Sequence, residues 1–369
     1  MRKEHVIALG AGLGLSLAAV GCSSDGDGTG SEVATTSAPL QCDSGSYVAF
    51  DSANHLNQDL RLAAHAEMNT LMKDAASAMD AGDASAASDM FGAATTIYME
   101  ESESASLRVK VMGRLDEHVA GDPVEGERLD ATIVKWLEFG SGAQDPLEAT
   151  VARQWVDKTM TEFFFLSVHH ELLAGTRKNW DEAFGYFGSG PDNDEADFRG
   201  LASTAFKRDS NNGTSLEPEI FNGLVDGSCE VARALDEAEA EEIDIAGTAV
   251  EPIVVDIDLA MQQVLAYSVG HEAFEMIELL EADTVDTDEI TIKAAELIPF
   301  FVPIERIMND KGGDSAERAA EIRSIVDAMP VSDPDQMDVG DTSWIDGLGE
   351  GPARIIELLE VEYDIEIQG

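Results

Sequence analysis

Basic residues are scarce in this chain: 23 Lys and Arg stand against 73 Asp and Glu, a formal charge of −50 over 369 residues. So acidic a surface repels phosphate backbones and anionic lipid head groups, which excludes nucleic acid as a partner. Cysteine is almost missing too, with three in all and none in a CxxC or CxxH arrangement, so the cysteines alone build no metal site. The uncharged stretch at residues 6–20 has 15 residues, too few to span a bilayer, which needs about 17 or more. The sequence contains no HExxH, no GxSxG elbow and no Cys/His dyad, so the common hydrolase centres are excluded. Strand-like alternation is confined to residues 253–257, where a helix start explains the pattern equally well.

What is present is an ordinary apolar content of 44%, too high for a disordered acidic chain. The acid therefore coats something that folds, in a saline medium or with a taste for cations. Length alone predicts about two domains, or one large one.

The first residues read as an address. Arg2 and Lys3 precede the apolar run, which closes on Ala19-Val20-Gly21-Cys22, similar to a bacterial lipobox. This predicts a lipoprotein signal peptide over residues 1–21 and lipidation at Cys22, a plain secretory signal being the alternative. Lipid chains contribute about 0.8 kcal/mol per buried CH₂, so several hold a soluble domain at a membrane. Ser23 favours the outer membrane. Residues 22–45, rich in Gly, Ser, Thr and Asp, read as a flexible tether. Cys42 and Cys229 remain, an even pair that reads as a disulfide in an oxidising compartment, with two unpaired thiols as the other reading.

Apolar residues recur at steps of three and four through most of the chain, beginning with Leu56, Leu60, Ala64, Met68 and Leu71. About ten such stripes, punctuated by Gly, Pro, Asp and Ser, predict an all-α fold of helical bundles. Pro299 and Pro303 lie within one stripe and predict a kinked or broken helix. A faint repeat supports two related halves: residues 157–171 align without gaps on residues 258–272, with six identities in fifteen. Both copies carry a Ser and a His on a face that otherwise reads as core, at Ser167 and His170 and at Ser268 and His271. Glu275 follows His271 at i+4 on the same face.

Two readings follow. His170, His271 and Glu275 project into the bundle as a metal site, where imidazole with carboxylate suits iron or zinc. Alternatively the histidines are structural, bonded to serines and backbone carbonyls. His55, His65 and His118 each stand alone and read as solvated. The aromatic segment at residues 178–188 offers a candidate ligand pocket, with Trp180 and Tyr186 beside Asp181 and Glu182; a lid completing the core is the competing reading.

VDKTM (residues 156–160), followed by NWDEAFGYFG (residues 179–188), resembles an uncharacterised family of bacterial lipoproteins similar to the imelysin group. Weaker likenesses are QDLRLAAHAEM (residues 58–68), EIFNGLVDGSCEVARA (residues 219–234) and AYSVGHEAF (residues 266–274). The resemblance implies two antiparallel helical bundles, here residues 46–200 and 201–369, in a cell-envelope protein linked to iron uptake. That group's metal motif is Gly-x-His-x-x-Glu; the nearest string here is Gly270-His271-Glu272-Ala273-Phe274-Glu275, with Gly directly before His.

The leading expectation is a non-enzymatic, lipid-anchored outer-membrane protein that binds iron, zinc or a small metal-containing ligand as an uptake accessory. Its partners are then the membrane, through the anchor, and metal-uptake or other envelope proteins. The alternatives are a helical interaction scaffold and a divergent imelysin-type metallopeptidase using Glu272 or Glu275 as general base.

Overall fold

Capping residues set the helix boundaries. The computed structural model describes residues 45–100, 106–119, 125–337 and 341–368. Among these are thirteen α-helices, one 3-10 turn at Glu195–Asp197 and no strand, so the chain is all-α as its periodicity predicts. The first half holds α1 (Leu56–Asp80), α2 (Ala84–Met99), α3 (Leu107–Met112), α4 (Glu125–Ser141), α5 (Pro146–Leu173) and α6 (Arg177–Phe187). The second holds α7 (Gly200–Asn212), α8 (Leu216–Ala238), α9 (Glu251–Glu281), α10 (Thr287–Lys311), α11 (Gly313–Val326), α12 (Ser343–Leu348) and α13 (Gly351–Tyr363). The expected signal peptide, Cys22, most of the tether and Cys42 lie outside the described residues; Cys229 sits in α8.

Helix α5 starts where Asp145 accepts the Glu148 amide at 2.9 Å and Pro146 supplies a preset φ. Helix α6 starts on Thr176, which takes the Asn179 amide at 3.1 Å, and stops at Gly188 with φ +87°. A side chain at Gly188 would strike the Arg199 carbonyl, so both the turn and the packing demand glycine there.

Of the 28 residues of α5, 20 are buried, which makes it an axis of the core and not a surface helix. It packs against α1, α4, α6 and α10. Helix α9 is long and apolar enough to cross a membrane, yet 67% of its apolar window is buried in the body, against α8, α10 and α13. It serves as a second core helix. Helix α10 touches both, and residues of both halves join one hydrophobic cluster within the compact unit Leu40–Gly369.

Residues 253–257 are a helix start, one of the two readings of that segment, and α10 is not broken at Pro299 or Pro303. The prolines stand four apart, so the missing donors fall on one side of the helix. Burial of Phe300, Phe301 and Ile304 beside them offsets the lost hydrogen bonds.

The sequence repeat maps onto α5 and α9, and matched residues do matched things. Ser167 donates to the Phe163 carbonyl at 2.7 Å, and Ser268 to the Val264 carbonyl at 2.8 Å. Both serines bond their own helix and not the neighbouring histidine. Asp157 pairs with His65 at 3.0 Å and Asp258 with His118 at 2.8 Å. Glu171 faces Arg114 at 3.3 Å and Glu272 faces Arg208 at 3.5 Å.

Candidate metal centre

Three side chains from three distant parts of the chain converge at the α5–α9 contact. Asp258 stands in the second turn of α9, His169 in the last turns of α5, and His118 on the non-helical segment that follows α3. His118 Nε2 lies 2.8 Å and His169 Nδ1 lies 3.1 Å from the same oxygen, Asp258 Oδ1. All three donor atoms fall within 4.8 Å of one another. The His169 Nδ1 contact is close but lacks hydrogen-bond alignment, which leaves a buried nitrogen without a hydrogen-bond partner.

Each donor is held from behind. Asp116 Oδ1 accepts from His118 Nδ1 at 3.0 Å and from the His118 backbone amide at 3.0 Å, which fixes the ring and points Nε2 at Asp258. Asp116 is in turn gripped by Arg306 of α10 at 2.9 Å. Gln262, one turn along α9, donates to Asp258 Oδ2 at 2.7 Å. The His118 ring stacks on His169 at 3.8 Å between centroids and on Phe165 at 5.1 Å, the two residues being one turn apart on α5.

Burial opposes charge on His118, but its hydrogen bonds to Asp116 and Asp258 outweigh that and push its pKa up to about 9. For Asp258 burial acts against ionisation, and the hydrogen bond from His118 and the close approach of the His169 ring overcome it, holding the carboxyl well below its usual range. Asp116 is likewise lowered: burial is overcome by His118 and Arg306.

Two imidazoles and one carboxylate are the donor set that non-haem iron(II) prefers, and zinc accepts it as well. A metal binds imidazole in the plane of its ring, so the stacked His118 and His169 rings, 3.8 Å apart and 24° from parallel, must splay to share an ion beside Asp258. The carboxylate-bonded far nitrogen of His118 is the usual support for a metal-binding imidazole.

Next to this cluster is a cavity of about 300 Å³, with His169 and Asp258 among its walls.

The residues expected to bind metal are divided between two places. His170 Nδ1 meets Glu117 at 2.8 Å. His271 and Glu275 do face each other at 3.5 Å, but Lys293 of α10 occupies Glu275 at 2.5 Å and reaches Glu272 at 3.4 Å. Burial, helped by Arg208, pushes the His271 pKa down to about 4, and Asn211 packs against its ring nitrogens at 3.1 and 3.2 Å. A lysine ammonium thus holds the carboxylate that an ion at His271 needs.

The expectation of solvated lone histidines is overturned for His65 and His118, which are paired with Asp157 and Asp258 inside the body. His55 is the most exposed of the three and pairs with Asp59 at 2.9 Å. The sequence holds the Asp116-Glu117-His118 run just past α3 and Asp258 as the first residue of the repeat, but nothing in it joins His118 to Asp258.

The four aromatic-segment residues meet protein. Trp180, Asp181 and Tyr186 are buried, and Glu182 pairs with Lys178 at 2.6 Å. Asp181 receives Tyr47 Oη at 3.1 Å, the Phe50 and Asp51 amides at 3.0 and 3.1 Å, and Asn54 Nδ2 at 2.8 Å. Tyr186 takes a hydrogen bond from Arg61 at 2.9 Å.

The chain matches no protein-family model, no curated protein and no solved structure.

Proposed function

We propose that this protein is a lipid-anchored cell-envelope component that binds one transition-metal ion, iron(II) in preference to zinc, through His118, His169 and Asp258. It acts as an uptake accessory and not as an enzyme. One observation carries the reading: two imidazole nitrogens converge on a single carboxylate oxygen, with one imidazole braced from behind by a second carboxylate. The lipobox-like Cys22 and the likeness to imelysin-group lipoproteins support the envelope setting and the two-bundle layout, and the acidic surface favours cations as cargo.

The ion replaces the proton on His118 Nε2. With a pKa of about 9, that proton imposes a penalty near a hundredfold at pH 7, about 2.7 kcal/mol. Coordination must exceed that cost, and binding therefore tightens as pH rises toward 9.

The test is elemental analysis of the mature protein after anaerobic exposure to iron(II) or to zinc. One ion per chain is expected, lost in His169→Ala and kept in His271→Ala. Absence of bound metal in the wild type, or equal loss in both variants, sinks the reading.

A further inference from the structure

The cavity beside the metal donors has a floor, a wall and a rim of different chemistry. His169 and Asp258 supply the floor, Leu173, Ile245 and Val254 an apolar wall, and Asp244 and Glu251 an exposed acidic rim, with no lysine or arginine among the lining residues. Two of the three donors therefore border an open space, while the third, His118, is sealed behind them by Phe165 and Asp116. An ion held by three protein donors keeps further coordination positions. A volume of about 300 Å³ is the lower bound of ordinary small-molecule sites and far more than an ion with its waters requires.

Resting on the metal reading above, we infer that the ion is taken together with a small organic chelator that fills this cavity. The chemistry of the walls names its class: a bidentate oxygen or nitrogen head for the metal, a compact apolar ring, and an ammonium tail. The head completes the coordination that His118, His169 and Asp258 begin. The ring covers Leu173 and Val255, the exposed apolar residues of the lining, which a bare hydrated ion leaves in contact with water. The tail meets Asp244 and Glu251. Each of these carboxylates already accepts a loop amide, from Ala246 at 3.0 Å and Gly247 at 2.7 Å, which holds it in place, and a carboxylate has room for further donors. An anionic tail meets repulsion at the same rim.

The experiment uses the full mature protein, held anaerobic, and the iron(II) complexes of three ligands that share a catechol head, dopamine, catechol and 3,4-dihydroxybenzoate, with iron(II) alone in parallel. Binding is read by dialysis with iron and ligand analysis. The dopamine complex is expected to bind one per chain, about tenfold tighter than the dihydroxybenzoate complex, with catechol between them. The double variant Asp244→Asn/Glu251→Gln, at exposed positions, is expected to abolish that order, the dopamine and dihydroxybenzoate complexes then binding within about threefold of each other.

If iron(II) binds and the three complexes show no charge order, the chelator inference is overturned and the metal reading stands. If iron(II) alone fails and the dopamine complex binds, the inference is upheld and the bare-ion form of the metal reading falls. If neither binds, both are overturned.

Discussion

Asp157 and Asp258 occupy the same position in two matching helices, 101 residues apart, and each holds a histidine delivered by another segment. Their surroundings then diverge. Asp157 is closed off by its own neighbour: Lys158 Nζ lies 2.8 Å from Asp157 Oδ2, 3.8 Å from Glu296 and over the Phe300 ring. Asp258 has no lysine in that place. It has a second imidazole, His169, and a cavity at its side. One copy carries a lysine beside its aspartate; the other carries a second imidazole and a cavity there. On the proposed reading, that difference separates a structural ion pair from a metal site.

The pair can be broken from either side. Asp258→Asn is expected to weaken metal binding at least a hundredfold, since it removes the one oxygen both imidazoles face. Asp157→Asn is expected to leave metal binding intact and instead destabilise the fold by about 2 kcal/mol, because the buried Lys158 and His65 lose the carboxylate they share and Lys158 keeps only the 3.8 Å contact with Glu296. Elemental analysis and urea unfolding on the two variants decide this. Equal effects on both readouts mean that the two aspartates are not distinguished as described.

A more pointed change makes the second copy like the first. His169→Lys gives Asp258 a resident ammonium, and metal binding is expected to vanish while the unfolding midpoint stays near that of the wild type. Retained metal in that variant shows that His169 is not a ligand.

The smallest effect is a pH dependence of the metal-free protein. Folding raises the His118 pKa from 6.5 to about 9. Its favourable contribution is therefore complete below pH 6.5 and is lost as pH rises through about 9. Unfolding midpoints at pH 6 and pH 10 should differ more for the wild type than for His118→Gln, and an unchanged difference sinks the assignment.

Helices were readable in the sequence because a stripe repeated every three or four residues reports burial directly. The α5–α9 repeat was readable for the same reason, and the His271–Glu275 contact follows from i, i+4 spacing. The sequence could not disclose Lys293, which comes from another helix to claim Glu275. Nor could it place His118, whose segment has no period and whose partner Asp258 lies 140 residues away. The serines misled for a different physical reason. A buried hydroxyl on a helix finds its own i−4 carbonyl before it finds a neighbouring ring.

The Asp181 carboxylate also has a mechanical meaning. Any pull on the chain before Tyr47 reaches the helical body through the segment that Asp181 fastens with two amides, a phenol and a side-chain amide, while the Tyr47 ring lies flat on Phe184 at 3.8 Å. The load is shared by several bonds at one buried point before it reaches α1.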